Sequence, residues 1–172
     1  MRWLPFQLNP DLPESGIPRE EYVARKFGAR GKSVSDRVTQ AGRQVGIAFD
    51  YEKMKVQPNT LNPHRLLAYA ERAGKQDELA EELFRAHFVE GASLADLEVL
   101  ANVAARAGLD RKAAADYLAG DEDRTQIAQA DIEARNAGIG GVPYFIFNRK
   151  VGISGAQDPE ALLEAMEQAL RA

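Results

Sequence analysis

Apolar residues recur every three or four positions through most of the chain, from about residue 18 to residue 137. This spacing places them on one face of an α-helix. Glycines, which are favoured just beyond helix ends, divide the periodic stretches into segments of helical length. The pattern therefore predicts a block of six or seven helices, with breaks at Gly28, Gly46, Gly74, Gly91, Gly108 and Gly138.

Polar residues predict where several of these helices begin. Ser, Asp and Asn side chains accept hydrogen bonds from the free backbone N–H groups of a first helical turn. Such residues stand before apolar stripes at four positions, which we interpret as N-caps: Asn62, Ser93, Asp110 and Asp121.

The two ends of the chain have a different pattern. Leu4, Phe6 and Leu8 alternate with other residues, which predicts a short strand over residues 3–8, and Pro5 would confine that strand to a sheet edge. A second strand is predicted over residues 142–147, followed by a turn and a third strand over residues 151–154. Aspartate followed by proline at positions 158 and 159 then predicts a last helix.

Composition restricts the function. The 172 residues are 45% hydrophobic and 28% charged, a balance typical of a globular protein. The formal net charge is -4, and basic residues are interleaved with acidic ones along the helices, so nucleic acid is not an expected partner. No apolar run approaches the roughly 18 to 20 residues of a membrane span, and the N-terminus has no secretory pattern. We therefore expect a cytoplasmic protein that has no membrane partner.

The sequence contains no cysteine and two histidines. A disulfide framework, a thiolate metal site and a nucleophilic cysteine are all excluded for this chain. His64 and His87 fall in helical segments without a second ligand at metal-binding spacing. We expect no metal and no cofactor, and no residue is predicted to be catalytic.

The order of these segments, together with several local motifs, resembles the DsbA-like thioredoxin superfamily and its FrnE-type members. The resemblance covers essentially the whole chain. Its motifs are residues 2–10, 22–28, 59–66 and 83–88, then Gly141-Val142-Pro143-Tyr144-Phe145 and Ser154-Gly155-Ala156-Gln157.

The resemblance implies an α/β fold, mostly helical by residue count: an incomplete thioredoxin-like fold with a large all-helical insertion. The thioredoxin-like part would comprise residues 1–18 and 138–172, and the insertion residues 19–137. Family members carry a Cys-x-x-Cys pair on a preceding strand and helix that this sequence does not contain. Either Met1 is a mis-set start or the chain is a naturally shortened relative.

The resemblance also implies a substrate wall. Val142-Pro143 matches the family's cis-proline position, so we predict a cis peptide bond there. Gly141, Val142, Pro143 and Tyr144 are the candidate substrate-binding residues, for a thiol or disulfide peptide or a glutathione-like molecule. Phe145 and Phe147 alternate with Tyr144 and are expected in the core.

Three functions stay open at this point. The first is a FrnE-type thiol-disulfide oxidoreductase, related to disulfide isomerases, that is redox-inactive in this truncated form. The second is a relative of 2-hydroxychromene-2-carboxylate isomerases and kappa glutathione transferases, which use serine and bind glutathione. The third is a non-catalytic helical binding or assembly module. A sheet without its central strand further predicts a homodimer or partial disorder.

Overall fold

A computed structural model describes residues 1–171 and shows a mostly helical chain with two small antiparallel sheets. The helices of this part are α1 (Arg19–Phe27), α2 (Gly31–Gln44), α3 (Leu61–Arg72), α4 (Gln76–Phe88), α5 (Leu97–Arg106), α6 (Arg111–Ala119), α7 (Arg124–Asn136) and α8 (Pro159–Arg171), with a 3-10 turn at Gly28–Arg30. The strands are β1 (Ile17–Pro18), β2 (Val56–Gln57), β3 (Tyr144–Phe147) and β4 (Val151–Ser154).

The core lies among α3, α4, α5 and α6. Most apolar residues on the predicted inward faces are buried there, whereas Phe84 and Leu97 of the same stripes are 48% and 39% exposed. Burying such a side chain stabilises the fold by about 1.5–3 kcal/mol. The prediction of six or seven helices before residue 137 is confirmed by α1 to α7. The main buried side chains of this cluster are Leu66, Leu79, Leu83, Leu100, Val103 and Leu118.

Aspartates cap two of these helices. Asp110 was predicted to cap α6, and its Oδ1 accepts the Ala113 N–H at 2.7 Å. The predicted cap at Ser93 is wrong, because α5 begins later, where Asp96 Oδ1 accepts the Glu98 N–H at 2.8 Å. Both residue types suit a cap, and only the path of the connecting turn selects the aspartate.

The predicted caps at Asn62 and Asp121 are also wrong. Asn62 lies inside the first turn of α3, and its Oδ1 accepts a hydrogen bond from Arg65 Nη1 at 2.9 Å. The residue before α3 is Thr60, whose side chain makes no cap bond, and the Leu61 N–H donates to Asn59 Oδ1 at 2.8 Å. Helix α7 is preceded by Asp123, whose φ of 59° makes the turn into the helix.

The predicted strand over residues 3–8 is wrong, because helix side chains bind the backbone groups that a neighbouring strand would bind. The amide of Gln76 on α4 contacts both groups of Trp3: Oε1 accepts the Trp3 N–H at 2.9 Å and Nε2 donates to the Trp3 carbonyl at 3.0 Å. The segment is thus fixed on the helical block without being part of a sheet.

Further along the same segment, Asp131 and Arg135 of α7 bind the backbone groups of Gln7. Asp131 Oδ1 accepts the Gln7 N–H at 2.6 Å, and the Arg135 guanidinium donates to the Gln7 carbonyl. The Phe6 carbonyl accepts from His64 Nε2 at 3.2 Å. Phe6 is buried as expected, whereas its alternating neighbours Leu4 and Leu8 are exposed.

The C-terminal hairpin and helix agree with the sequence pattern. Strand β4 has the predicted bounds, β3 begins at Tyr144 instead of residue 142, and α8 begins at Pro159. The pairing is antiparallel, with Tyr144 opposite Ser154, and the turn between the strands has positive φ at Asn148 and Arg149.

β3, β4 and α8 form a unit of their own, which we call the C-terminal unit. Within residues 1–171, no Cα atom of these elements comes within 8 Å of one in another helix or strand. The predicted division into residues 1–18 with 138–172 and residues 19–137 stays a prediction.

Strands β1 and β2, of two residues each, form a sheet that the sequence did not predict. Ile17 pairs with Gln57 and Pro18 with Val56. A two-residue strand has no periodicity to detect, so this pairing follows from the tertiary structure alone. No helix of the described part of the chain is long and apolar enough to cross a bilayer.

Candidate substrate-binding loop

The candidate site lies in the loop that joins α7 to β3. After α7 the chain turns at Gly138, whose φ of 86° lies in the left-handed region that glycine tolerates best. The loop then passes Gly140 and Gly141 and reaches the Val142-Pro143 peptide bond, which is cis as predicted.

The hydrogen-bond directions along β3 define an open strand edge. The Gly155 N–H donates to the Pro143 carbonyl at 2.8 Å, so Pro143 faces β4. Backbone groups alternate in direction along a strand, and those of Val142, Tyr144 and Ile146 therefore point away from β4. They have no hydrogen-bond partner among residues 1–171.

Side chains around this edge differ in accessibility. Val142 is 48% exposed and Pro143 is also exposed. The hydroxyl end of the Tyr144 ring lies against Gly152, where an added Cβ would stand 3.0 Å from two ring carbons. The Tyr144 hydroxyl is therefore packed on the hairpin and does not project from the loop.

Phe145 and Phe147 occupy the opposite face of β3. Their rings are stacked, with centroids 6.5 Å apart and an interplanar angle of 4°, and both side chains are half-buried. They pack on each other but lie outside the buried core in which they were expected, because within the described residues the hairpin does not join the helical cluster.

The two histidines are structural. Burial lowers the pKa of both His64 and His87. His64 contacts the Phe6 carbonyl, and His87 Nδ1 lies 3.3 Å from the Ala92 carbonyl. Because a carbonyl can only accept, each ring donates a hydrogen bond to a backbone oxygen. In the described residues no group of three His, Asp or Glu side chains could hold a metal ion.

Comparison with known families explains this arrangement. The sequence model of a family described as the DSBA-like thioredoxin domain matches residues 1–167. The chain belongs to this family. Its fold is therefore the thioredoxin-like, mostly helical α/β fold that the resemblance implied.

A solved structure supports the same assignment. The crystal structure of a probable DsbA oxidoreductase from Streptomyces coelicolor superposes with a TM-score of 0.87 at 27% sequence identity. The match covers 96% of this chain and 73% of that chain. A search of curated protein sequences gave no match.

The sequence located part of this site. It placed Gly141, Val142, Pro143 and Tyr144 together, and the structure keeps them in one loop and strand end, although their role in binding stays a prediction. The backbone of Ile146, which extends the open edge, was missed. Strand alternation counted from Pro143 could have found it.

Proposed function

We propose that this DsbA-family chain is related to the FrnE-type thiol-disulfide oxidoreductases and that its residues Gly141 to Tyr144 bind the substrate. The chain by itself is proposed to be redox-inactive. The observation that supports the proposal most directly is the open backbone edge at Val142, Tyr144 and Ile146. An extended peptide can add to such an edge as a further strand. Cytoplasmic location stays a prediction.

The proposed inactivity follows from the chemistry. Disulfide exchange begins with attack of a thiolate on a disulfide sulfur and passes through a mixed disulfide. The chain has no cysteine, and its three methionine thioethers cannot form that intermediate. Binding and redox chemistry are therefore separable in this chain.

An activity assay tests the redox half of the proposal. We expect no insulin reduction and no oxidation of a dithiol peptide by the purified chain between pH 6 and pH 9. If sequence upstream of Met1 encodes a cysteine pair, the extended chain should turn over in both assays. Turnover by the cysteine-free chain, after contaminants are excluded, would disprove the mechanism. An upstream serine, with glutathione binding and no redox turnover, would move the assignment to the isomerase and transferase relatives.

A binding experiment tests the other half. An S-methylated insulin B chain, which cannot react, should shift the amide resonances of Val142, Tyr144 and Ile146 in a labelled sample. Val142→Pro removes one donor from the open edge and should weaken the shifts, whereas Val142→Ala keeps the backbone and should not. Shifts confined to other parts of the chain would contradict the assignment of this loop.

A further inference from the structure

Helix α2 carries an apolar stripe that its own neighbours do not cover. Among the described elements, α2 lies close only to α1 and the 3-10 turn. Val34, Val38, Ala41 and Val45 recur at helical spacing along one side. Val45 is 72% exposed, and Val38 and Ala41 are exposed as well.

The same region is basic in an acidic chain. Residues 19–44 hold seven Lys and Arg and three Asp and Glu, a formal charge of +4, whereas the whole chain has -4. Arg30 and Arg37 flank the stripe on the helix surface, and neither forms an ion pair within the described residues. The exposed stripe therefore has a cationic border.

Helix α8 has the complementary character. Ala165 and Ala169 are buried against the hairpin, while Leu163, Met166 and Leu170 form a second stripe that is exposed, Leu170 by 78%. Glu160 and Glu164 border this stripe and have no cationic partner among residues 1–171. Glu167 is paired with Arg171, 2.8 Å away.

We propose that α2 of one copy packs against α8 of a second copy, so that two such contacts form an isologous dimer. Both helices leave an apolar stripe uncovered, and their borders carry opposite charge. The unpaired charges lie in the N-terminal half of each helix or just before it, so a roughly parallel packing places Arg30 and Arg37 beside Glu160 and Glu164 of the other copy. This interface does not depend on thiol chemistry.

A two-fold arrangement suits these surfaces. In an isologous dimer each copy contributes the same patch, so the proposal requires α2 and α8 of one copy to meet the partner together. A stable dimer needs roughly 800 Å² of buried surface per partner, more than one short helix pair supplies. Using both contacts doubles the buried apolar area and pairs the acidic and basic borders twice.

Charge reversal tests the contact. Analytical ultracentrifugation should show a dimer for the unmodified chain. Arg37→Glu and Glu164→Arg should each raise the dissociation constant of the dimer by about tenfold or more, equivalent to about 1.4 kcal/mol. The double variant, in which the two charges are exchanged, should regain dimerisation. Lys150→Glu, a charge reversal in the hairpin turn, is the matched control and should have no effect. Equal dissociation constants for all five chains would overturn the proposal.

Cross-linking distinguishes a contact between two copies from a contact of α2 with α8 within one chain. The chain has no native cysteine, so only the introduced cysteines can form a disulfide. A mixture of Val38→Cys and Met166→Cys chains should form a disulfide heterodimer under mild oxidation faster than either variant forms a homodimer. The double variant, diluted, should stay largely reduced. The interface between two copies would be disproved if the diluted double variant rapidly formed an internal disulfide. It would also be disproved if the unmodified chain were a monomer at about 100 µM.

Discussion

Arg65 is the residue on which much of the helical block depends. Its side chain is 1% exposed, yet it makes five hydrogen bonds. Four of them go to carbonyls at and beyond the C-terminal end of α6, where a helix leaves its last carbonyls without partners. The acceptors are the carbonyls of Tyr117, Leu118, Gly120 and Glu122 and the Oδ1 atom of Asn62.

Arg65→Lys should therefore be strongly destabilising although it keeps the charge. An ammonium group has three donors in a compact arrangement and cannot reach all five acceptors. A buried carbonyl left without a partner costs about 1–3 kcal/mol, so we expect a loss of about 2–5 kcal/mol in urea unfolding. Arg25→Lys on α1, where the side chain forms one exposed ion pair, should change stability by less than about 0.5 kcal/mol. A loss at position 65 no larger than at position 25 would contradict this account.

The two buried histidines predict a loss of stability in mild acid. Burial, the larger cause, lowers the pKa of His64, while its contacts with the Phe6 carbonyl and Asp131 oppose the shift; burial likewise lowers the pKa of His87. The unfolded chain then binds protons below about pH 6.5 that the folded chain does not. Stability should be constant above about pH 7.5 and fall as the pH drops from about 6.5 toward the folded pKa values.

Urea unfolding at several pH values measures this effect. The slope contributed by each histidine cannot exceed about 1.4 kcal/mol per pH unit. His64→Gln keeps an amide donor for the Phe6 carbonyl and should reduce the slope, and adding His87→Gln should nearly remove it. A slope that is the same in the double variant and the unmodified chain would assign the acid sensitivity to carboxylates instead.

At the scale of elements, the N-terminal segment shows how side chains can replace a strand. Trp3 is held by one amide side chain and Gln7 by a carboxylate and a guanidinium one helical turn apart. Trp3 Nε1 also donates to Asp77 Oδ1 at 2.6 Å, and the Trp3 ring makes an edge contact with Phe84. These contacts fix the segment at both ends.

Hydrogen exchange should reveal this arrangement residue by residue. The amides of Trp3 and Gln7, which have acceptors, should be protected, while those of Leu4 and Leu8, which have none within the described residues, should exchange rapidly. Asp131→Ala should remove protection at Gln7 and leave Trp3 protected. Uniform protection across residues 3–8 would show instead that the segment pairs as a strand in solution.

At the scale of the whole molecule, the helical block and the C-terminal unit should differ in stability. Helices α3 to α6 share one buried cluster, whereas β3, β4 and α8 pack only on one another in the described part of the chain. Local opening requires less free energy where few apolar contacts are lost. We therefore expect the C-terminal unit to open without the helical block.

Native-state exchange under low urea measures the two free energies separately. Amides of Phe145 and Ile153 should exchange through an opening several kcal/mol less costly than that of Leu100 and Val103. Dimerisation through α8 should protect the C-terminal unit at high protein concentration. Equal opening energies at high dilution would show that the two parts unfold as one.

Local sequence signals predicted much of this fold. The helical period placed α3 to α6 and their buried leucines, the aspartate before α6 gave its cap, and the proline at position 159 gave the start of α8. The loop from Gly141 to Tyr144 and its cis bond followed from resemblance. These features depend on residues close together in the chain, whose spacing and chemistry are visible without a structure.

Tertiary structure decided the rest. Alternation in residues 3–8 indicated a strand, but Gln76, Asp131 and Arg135 lie 73 or more positions from the backbone groups that they bind. The pairing of Ile17 with Gln57 likewise depends on how distant segments meet, whereas the choice of Asp96 over Ser93 depends on the path of the turn before α5. Sequence fixes which groups need partners, while packing determines which partners come within hydrogen-bonding distance.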